Sequence, residues 1–176
     1  MIKFRLVGLS LVLFLASASL SAQTMQDEIK RQAEYMINGM LDGNIDKLLD
    51  HTLPAVIDMG GGRSNMKEAI SAMLQQTLDQ GFTIDTVYVG DAGEVYPAGD
   101  DLHALIPQYL KLGFAQGYIE SETSLIAISK DKGEKWYFID IKQLDESTKS
   151  MVLPVINENM VIPEPTEPNM VLFEDE

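Results

Sequence analysis

The sequence contains no cysteine, so disulfides, thiolate metal ligands and thiol nucleophiles are all excluded. Basic residues are scarce, because 13 lysines and arginines stand against 27 aspartates and glutamates, for a formal net charge of −14. A chain this acidic is repelled by the phosphates of nucleic acids and by anionic lipid head groups. We therefore expect neither nucleic acid nor a membrane surface as a partner.

Long apolar runs are also missing, apart from one short run near the beginning. Lys3 and Arg5 precede the 13-residue run 6–18, and small side chains recur in 19–22. A basic start, a short apolar centre and a small-residue end are typical of a secretory signal peptide. A transmembrane helix needs about 20 apolar residues, so this run is too short to span a bilayer. We predict a signal peptide over 1–22 and an exported protein, periplasmic or secreted, that leaves the membrane after cleavage.

The first half of the remaining sequence has the apolar period of amphipathic helices. The spacing predicts helices over 29–41, 45–49 and 66–78. Glycine or proline follows each of them and is expected to end it. Asn65, or alternatively Ser64, is expected to cap the third helix.

After Gly81 the period changes from helical to extended. Short turns rich in glycine and aspartate separate the segments, so neighbouring strands should pair antiparallel. Pro97 favours an edge position for the second strand. The predicted strands are 82–89, 94–98, 102–112, 118–129 and 135–141. Helices followed by antiparallel strands indicate an α+β fold, with three helices covering one face of the sheet.

The C-terminal part differs in composition from the rest of the sequence. Four of the seven prolines lie after residue 150, and no basic residue follows Lys149. Proline blocks regular structure, so the end is expected to be extended. Apolar residues in 151–162 should pack on the domain, and the remainder should be loose. We divide the mature chain into a domain over 23–142 and an acidic extension over 143–176.

Five short motifs carry a resemblance to a known family: DGN at 42–44, LL at 48–49, HTLP at 51–54, LIAISKDKG at 125–133 and WYFID at 136–140. With the order of elements over about 25–142, the chain resembles the nuclear transport factor 2-like superfamily, which includes SnoaL-like and ketosteroid-isomerase-like proteins. It is most similar to small exported bacterial members of unknown function. The resemblance implies a strongly curved, cone-like sheet around the helices, a pocket at its open end, and homodimers paired through the sheet. Membership would not select a reaction, because the fold hosts many functions.

The ketosteroid-isomerase-like pattern implies a candidate catalytic pair. Asp140, at the end of the last strand, would be the base, and Tyr109 would donate a hydrogen bond to an oxyanion. Tyr118 and Tyr137 are alternative donors, and the neighbouring strands also carry His103, Glu120 and Glu122. The simpler alternative is that Asp140 ends its strand by bonding backbone amides or water.

Strand alternation places Trp136, Phe138 and Asp140 on one face of the last strand. If that face lines the pocket, the ligand-binding residues are Trp136, Phe138, Tyr118 and His103. Each histidine is expected to be structural or solvated, with His51 capping the second helix and His103 exposed on its strand.

Metal and phosphate motifs are not supported by the spacing. The segment 42–53 begins like a calcium loop, but Lys47 and Leu53 occupy the positions that need glycine and glutamate. The glycines of 60–62 before Arg63 lack the lysine and spacing of a phosphate loop and indicate a connector. We expect no metal and no cofactor.

Three functions remain open from the sequence. The first is a non-catalytic binding or accessory module for a small apolar ligand or a protein partner. The second is an acid–base enzyme of the isomerase or hydrolase type that uses Asp140. The third is a structural homodimer in which the pocket is only a filled core.

Overall fold

A computed structural model describes the backbone of residues 6–174 and the side chains of residues 23–174 other than 146 and 147. Within 6–174 the chain forms five α-helices, a short 3₁₀ helix and one six-stranded antiparallel sheet. The α+β class agrees with the prediction. Lys3 and Arg5 of the predicted signal peptide, and the side chains of 6–22, lie outside the described residues.

Four helices precede the sheet, one more than the sequence predicted. They are α1 (Leu6–Leu41), α2 (Ile45–Asp50), α3 (Pro54–Met59) and α4 (Arg63–Asp79). The additional helix is α3, which has Pro54 in its first turn. Proline is favoured there because its missing N–H has no intrahelical acceptor. Our prediction used Pro54 only as the end of α2.

The predicted cap of α4 is wrong. Gly62 occupies the N-cap position with a positive φ of 93°, and no side chain caps the helix. The Asn65 side-chain amide instead donates to the carbonyl oxygen of Gly61 at 2.9 Å. The helix has no buried residue and packs mainly on α2 and α3. Ion pairs from Arg63 and Lys67 to the carboxylate of Asp46 join α4 to α2.

The strands agree closely with the predicted ones, with one addition. They are β1 (Thr83–Val89), β2 (Tyr96–Ala98), β3 (Asp101–Phe114), β4 (Gly117–Ser129), β5 (Tyr137–Asp140) and β6 (Asn169–Leu172). The main path of the sheet is β1-β3-β4-β5. In the described chain, β2 with Pro97 pairs with β3 alone, as expected of an edge strand. One edge of β4 pairs with β5 along 125–128 and with β6 along 117–120.

The sheet has two apolar faces and therefore two cores. On the helix side, α1 packs over the sheet with Ile29, Ala33, Met36 and Ile37, as the helical period predicted. This side includes Ala104 and Ile106, on the face of β3 that alternation assigned to the core. On the other side, which we call the tail side, the C-terminal extension covers Ile126, Ile128 and Ile139.

The C-terminal extension is more ordered than predicted. It contains α5 (Glu146–Val152), and three of its apolar side chains are buried: Val152, Leu153 and Met160. Packing of 151–162 on the domain is thus confirmed. The prediction that the remainder is loose is wrong, because β6 pairs with β4. Gly117 makes this pairing possible, since a Cβ there would overlap the carbonyl oxygen of Val171.

Candidate functional site

Asp140 lies on the helix side of the sheet, opposite Leu125 of the helix-side core. Its Oδ1 accepts hydrogen bonds from the Thr123 hydroxyl at 2.7 Å and from the backbone N–H of Lys142 at 2.9 Å. The second bond caps the 3₁₀ helix Ile141–Gln143. These contacts are those of the simpler alternative, in which the carboxylate ends the strand.

Removing this carboxylate should have a modest effect on stability. We expect Asp140→Ala to lower the free energy of unfolding by about 1 kcal/mol, the usual loss for a helix cap. Urea unfolding followed by circular dichroism measures it. Asp140→Asn is the control, because its amide oxygen can accept both bonds and should retain most of the stability. Equal losses in the two variants would contradict the capping role.

Tyr109 lies on the opposite face of the sheet from Asp140. It pairs directly with Tyr88 of β1 and with Glu122 of β4. Directly paired residues share a face, and successive residues alternate between faces. The two members of the predicted catalytic pair therefore do not face a common pocket.

The four predicted ligand-binding residues are also divided between the two faces. Trp136 and Phe138 are buried in the helix-side core. Tyr118 and His103 lie on the tail side, where they pair with Gly113 and Ile128. The structure therefore does not assemble these four side chains into one site.

The prediction that His103 is exposed is wrong, because only 2% of the residue is exposed. Its face of β3 belongs to the tail side, where the extension packs against the neighbouring Leu105 and Ile128. In the described part of the chain its buried Nδ1 has no hydrogen-bond partner. Burial lowers the pKa of His103, while the charges of Asp101 and Lys130 act in opposite directions.

His51 is also buried, and its ring Nδ1 hydrogen-bonds the carbonyl oxygen of Trp136 at 2.8 Å. His51 is the C-cap of α2, as predicted, but it caps through its backbone N–H, which bonds the carbonyl oxygens of Leu48 and Leu49, while its ring bonds the chain just before β5. Burial lowers the pKa of His51, and the hydrogen bond to Trp136 opposes that shift.

The two histidines predict a loss of stability in mild acid. Because folding lowers both pKa values, the unfolded chain binds more protons below the ordinary histidine pKa of about 6.5. Stability should be constant from pH 8 to 7 and then fall, by up to about 1.4 kcal/mol per pH unit for each histidine. Urea unfolding at pH 7.5 and 5.5 measures the loss. His103→Gln should reduce the pH dependence, and an unchanged dependence would contradict this prediction.

The tail side of the sheet is only partly covered by the extension, and the rest forms a groove of about 450 Å³. We call it the tail-side groove. Its lining includes Tyr88, Tyr109, Lys111, Glu120, Glu122 and Thr166. The Thr166 hydroxyl donates to the carbonyl oxygen of Glu122 at 2.7 Å, which holds the extension against the sheet as one wall.

Aromatic rings form part of the groove lining. Tyr88 and Tyr109 stack with ring centroids 4.7 Å apart and planes 17° from parallel. Tyr88 is 50% exposed. The negative charge of the Glu122 carboxylate is the main cause that raises the pKa of Tyr109, followed by burial and a hydrogen bond to the same group. Tyr109 is therefore neutral over the physiological pH range.

One lining residue of the groove, Lys111, is itself a cation held by an aromatic ring and a carboxylate. The Lys111 ammonium lies 3.6 Å from the centroid of the Tyr118 ring and 4.0 Å from the Glu120 carboxylate. A cation over an aromatic face is attracted by the ring quadrupole. Tyr109, Tyr118, Glu120 and Glu122 were each candidates from the sequence, but no pattern there showed that they lie together. The alternation of charged and aromatic residues in β3 and β4 was a pattern from which this site could have been predicted. No pattern in the sequence indicated that the segment around Thr166 forms a wall of the groove.

A second groove, of about 350 Å³, lies between the end of α1, α4 and β1. Its lining is mostly apolar and includes Met40, Leu41, Leu74 and Ile84.

No cluster of three or more metal-ligating side chains occurs among the described residues. In the same part of the chain, no helix combines the length and apolar character needed to cross a membrane.

Comparisons with family models, curated proteins and solved structures find no match for this chain. They therefore assign no family, and the resemblance to the nuclear transport factor 2-like superfamily stays a prediction.

Proposed function

We propose that this chain is a non-catalytic binding module that holds a small ligand in the tail-side groove. The observation that carries the proposal is the groove itself, in which stacked tyrosines and charged groups converge on one concavity. Ligand sites are typically concavities of about 300–1,000 Å³ with an apolar or aromatic lining and a few convergent polar groups. The volume of about 450 Å³ falls in this range.

The groove supports binding better than catalysis. Asp140, the residue that we predicted as the base, lies on the other face of the sheet and bonds Thr123 and the Lys142 backbone. A general base must be within hydrogen-bond reach of the proton that it removes. A ligand in the tail-side groove would be separated from Asp140 by the sheet.

This proposal has four further parts: export, kinship with the nuclear transport factor 2-like superfamily, a cone-like sheet and a homodimer. Export rests on the pattern of residues 1–22, and the others rest on the motifs between 42 and 140. The two faces of the sheet differ in the space that they offer to a ligand. The helix-side core around Trp136 is filled by side chains, and the groove beside α4 has a mostly apolar lining, so the convergence of stacked tyrosines and charged groups favours the tail-side groove.

The test is to identify a ligand that stays bound through purification. The mature protein is purified from the compartment to which it is exported and analysed by native mass spectrometry, and extract from that compartment is added back during NMR of the tyrosine rings. We expect a retained mass that Tyr88→Ala loses and that Tyr35→Ala keeps, because Tyr35 is similarly exposed but belongs to α1. Equal retention by both variants, or no retained mass and no change at Tyr88 and Tyr109, would contradict the proposal.

A further inference from the structure

We infer that the ligand of the tail-side groove is a small alkylammonium compound, an organic cation with an aliphatic chain. This inference rests on the proposed function and adds the chemical class of the ligand. It follows from the charge of the groove, from the way in which the groove holds its own lysine, and from the aromatic surface beside Glu122.

The groove has an excess of negative charge. Three carboxylates line it, those of Glu120, Glu122 and Glu167, together with one ammonium, that of Lys111. The whole chain carries a formal net charge of −14, so its field attracts cations from solution. Among the described residues, no basic side chain lies within 4.0 Å of the carboxylates of Glu122 or Glu167. Lys111 approaches only the carboxylate of Glu120, so the carboxylates of Glu122 and Glu167 remain to attract a ligand.

Lys111 shows how an ammonium group is held on this face of the sheet. Its nitrogen lies over the Tyr118 ring and beside the Glu120 carboxylate, so one tyrosine and one carboxylate hold one cation. Tyr109 and Glu122 combine the same two groups, because they face each other directly across β3 and β4. A second ammonium can pair with the Glu122 carboxylate, to which Tyr109 hydrogen-bonds, and lie against the exposed Tyr88 ring that stacks on Tyr109.

The stacked tyrosines favour a ligand with an aliphatic chain rather than a bare ion. Tyr88 and Tyr109 together offer ring surface next to Glu122, and half of Tyr88 is exposed. Moving methylene groups from water onto such a surface lowers the free energy. An ammonium on a short chain can therefore place its charge at Glu122 and its methylenes on the rings.

The experiment titrates the mature protein with three six-carbon probes whose head groups differ in charge: hexylammonium, hexanol and hexanoate. Binding is followed by NMR signals of the tyrosine rings and by calorimetry. We expect hexylammonium to bind at least ~10-fold more tightly than hexanol, which corresponds to about 1.4 kcal/mol. Hexanoate should not bind, and 0.5 M salt should weaken the binding of hexylammonium, because salt screens the attraction between charges.

Two variants locate the cation. Glu122→Gln keeps the shape of the side chain but removes its charge. It should weaken the binding of hexylammonium about 10-fold. Glu68→Gln removes an exposed carboxylate of α4 and should leave the affinity unchanged. Equal effects of the two variants, or no response of Tyr88 and Tyr109 to hexylammonium, would overturn the inference. If hexanol or hexanoate shifts these tyrosine signals at least as strongly, the ligand class is wrong while binding in the groove is upheld.

Discussion

Replacing Trp136 with alanine should lower the free energy of unfolding by about 3–5 kcal/mol, the range for removing a large aromatic from a core. The residue is 0% exposed and packs in the helix-side core. Its indole N–H also donates to the carbonyl oxygen of Gly133 at 3.1 Å. The variant loses the apolar contacts and leaves that carbonyl without its donor. Such a loss is a large part of the 5–15 kcal/mol that stabilises a typical domain.

Two further variants show whether the loss comes from packing. Trp136→Phe retains an aromatic ring and should lose less than the alanine variant. Phe173→Ala removes an aromatic that is 61% exposed and should change stability by no more than about 0.5 kcal/mol. Urea unfolding is followed by far-ultraviolet circular dichroism, because Trp136 is the only tryptophan and its fluorescence is lost. A Trp136→Ala protein as stable as Phe173→Ala would show that Trp136 is not a core residue.

The second large effect is expected at Leu153, in the extension that covers the tail side. Leu153 is 3% exposed and belongs to the second core with Ile126 and Ile139. We expect Leu153→Ala to lower the free energy of unfolding by about 2–5 kcal/mol, because it leaves a cavity between the extension and the sheet. Thermal and urea unfolding both measure this loss.

Val161 provides a matched control in the same segment. Its side chain is 79% exposed, so Val161→Ala should change stability by no more than about 0.5 kcal/mol. Similar values for Leu153→Ala and Val161→Ala would mean that the extension contributes little to the folded domain. A large difference would establish it as an integral layer of the fold.

The elements of the domain could largely be predicted from local patterns. The spacing of six apolar residues indicated the buried face of α1. Ile29, Ala33, Met36 and Ile37 are buried, whereas Met40 is only partly buried and Leu41 is 46% exposed at the end of the helix. Alternation along β3 and β5 assigned residues to faces correctly, including Asp140 with Phe138. Both patterns repeat over a few residues and report which side of an element avoids water.

The candidate site could not be predicted in the same way. Alternation placed Asp140 and Tyr109 on faces of separate strands, but it did not say whether those faces coincide. Register does, because pairing Tyr109 with Glu122 puts it on the side away from Asp140. A shift of one residue in this pairing would have reversed the result.

Composition and periodicity were enough for the α+β class, the antiparallel strands and most element boundaries, because these depend on neighbours in sequence. The burial of His103, the pairing of β6 with β4 and the tail-side groove depend on contacts between distant segments. Thr166, for example, reaches Glu122 across 44 residues. Such contacts follow from how the extension packs over the sheet, and no local period encodes that packing.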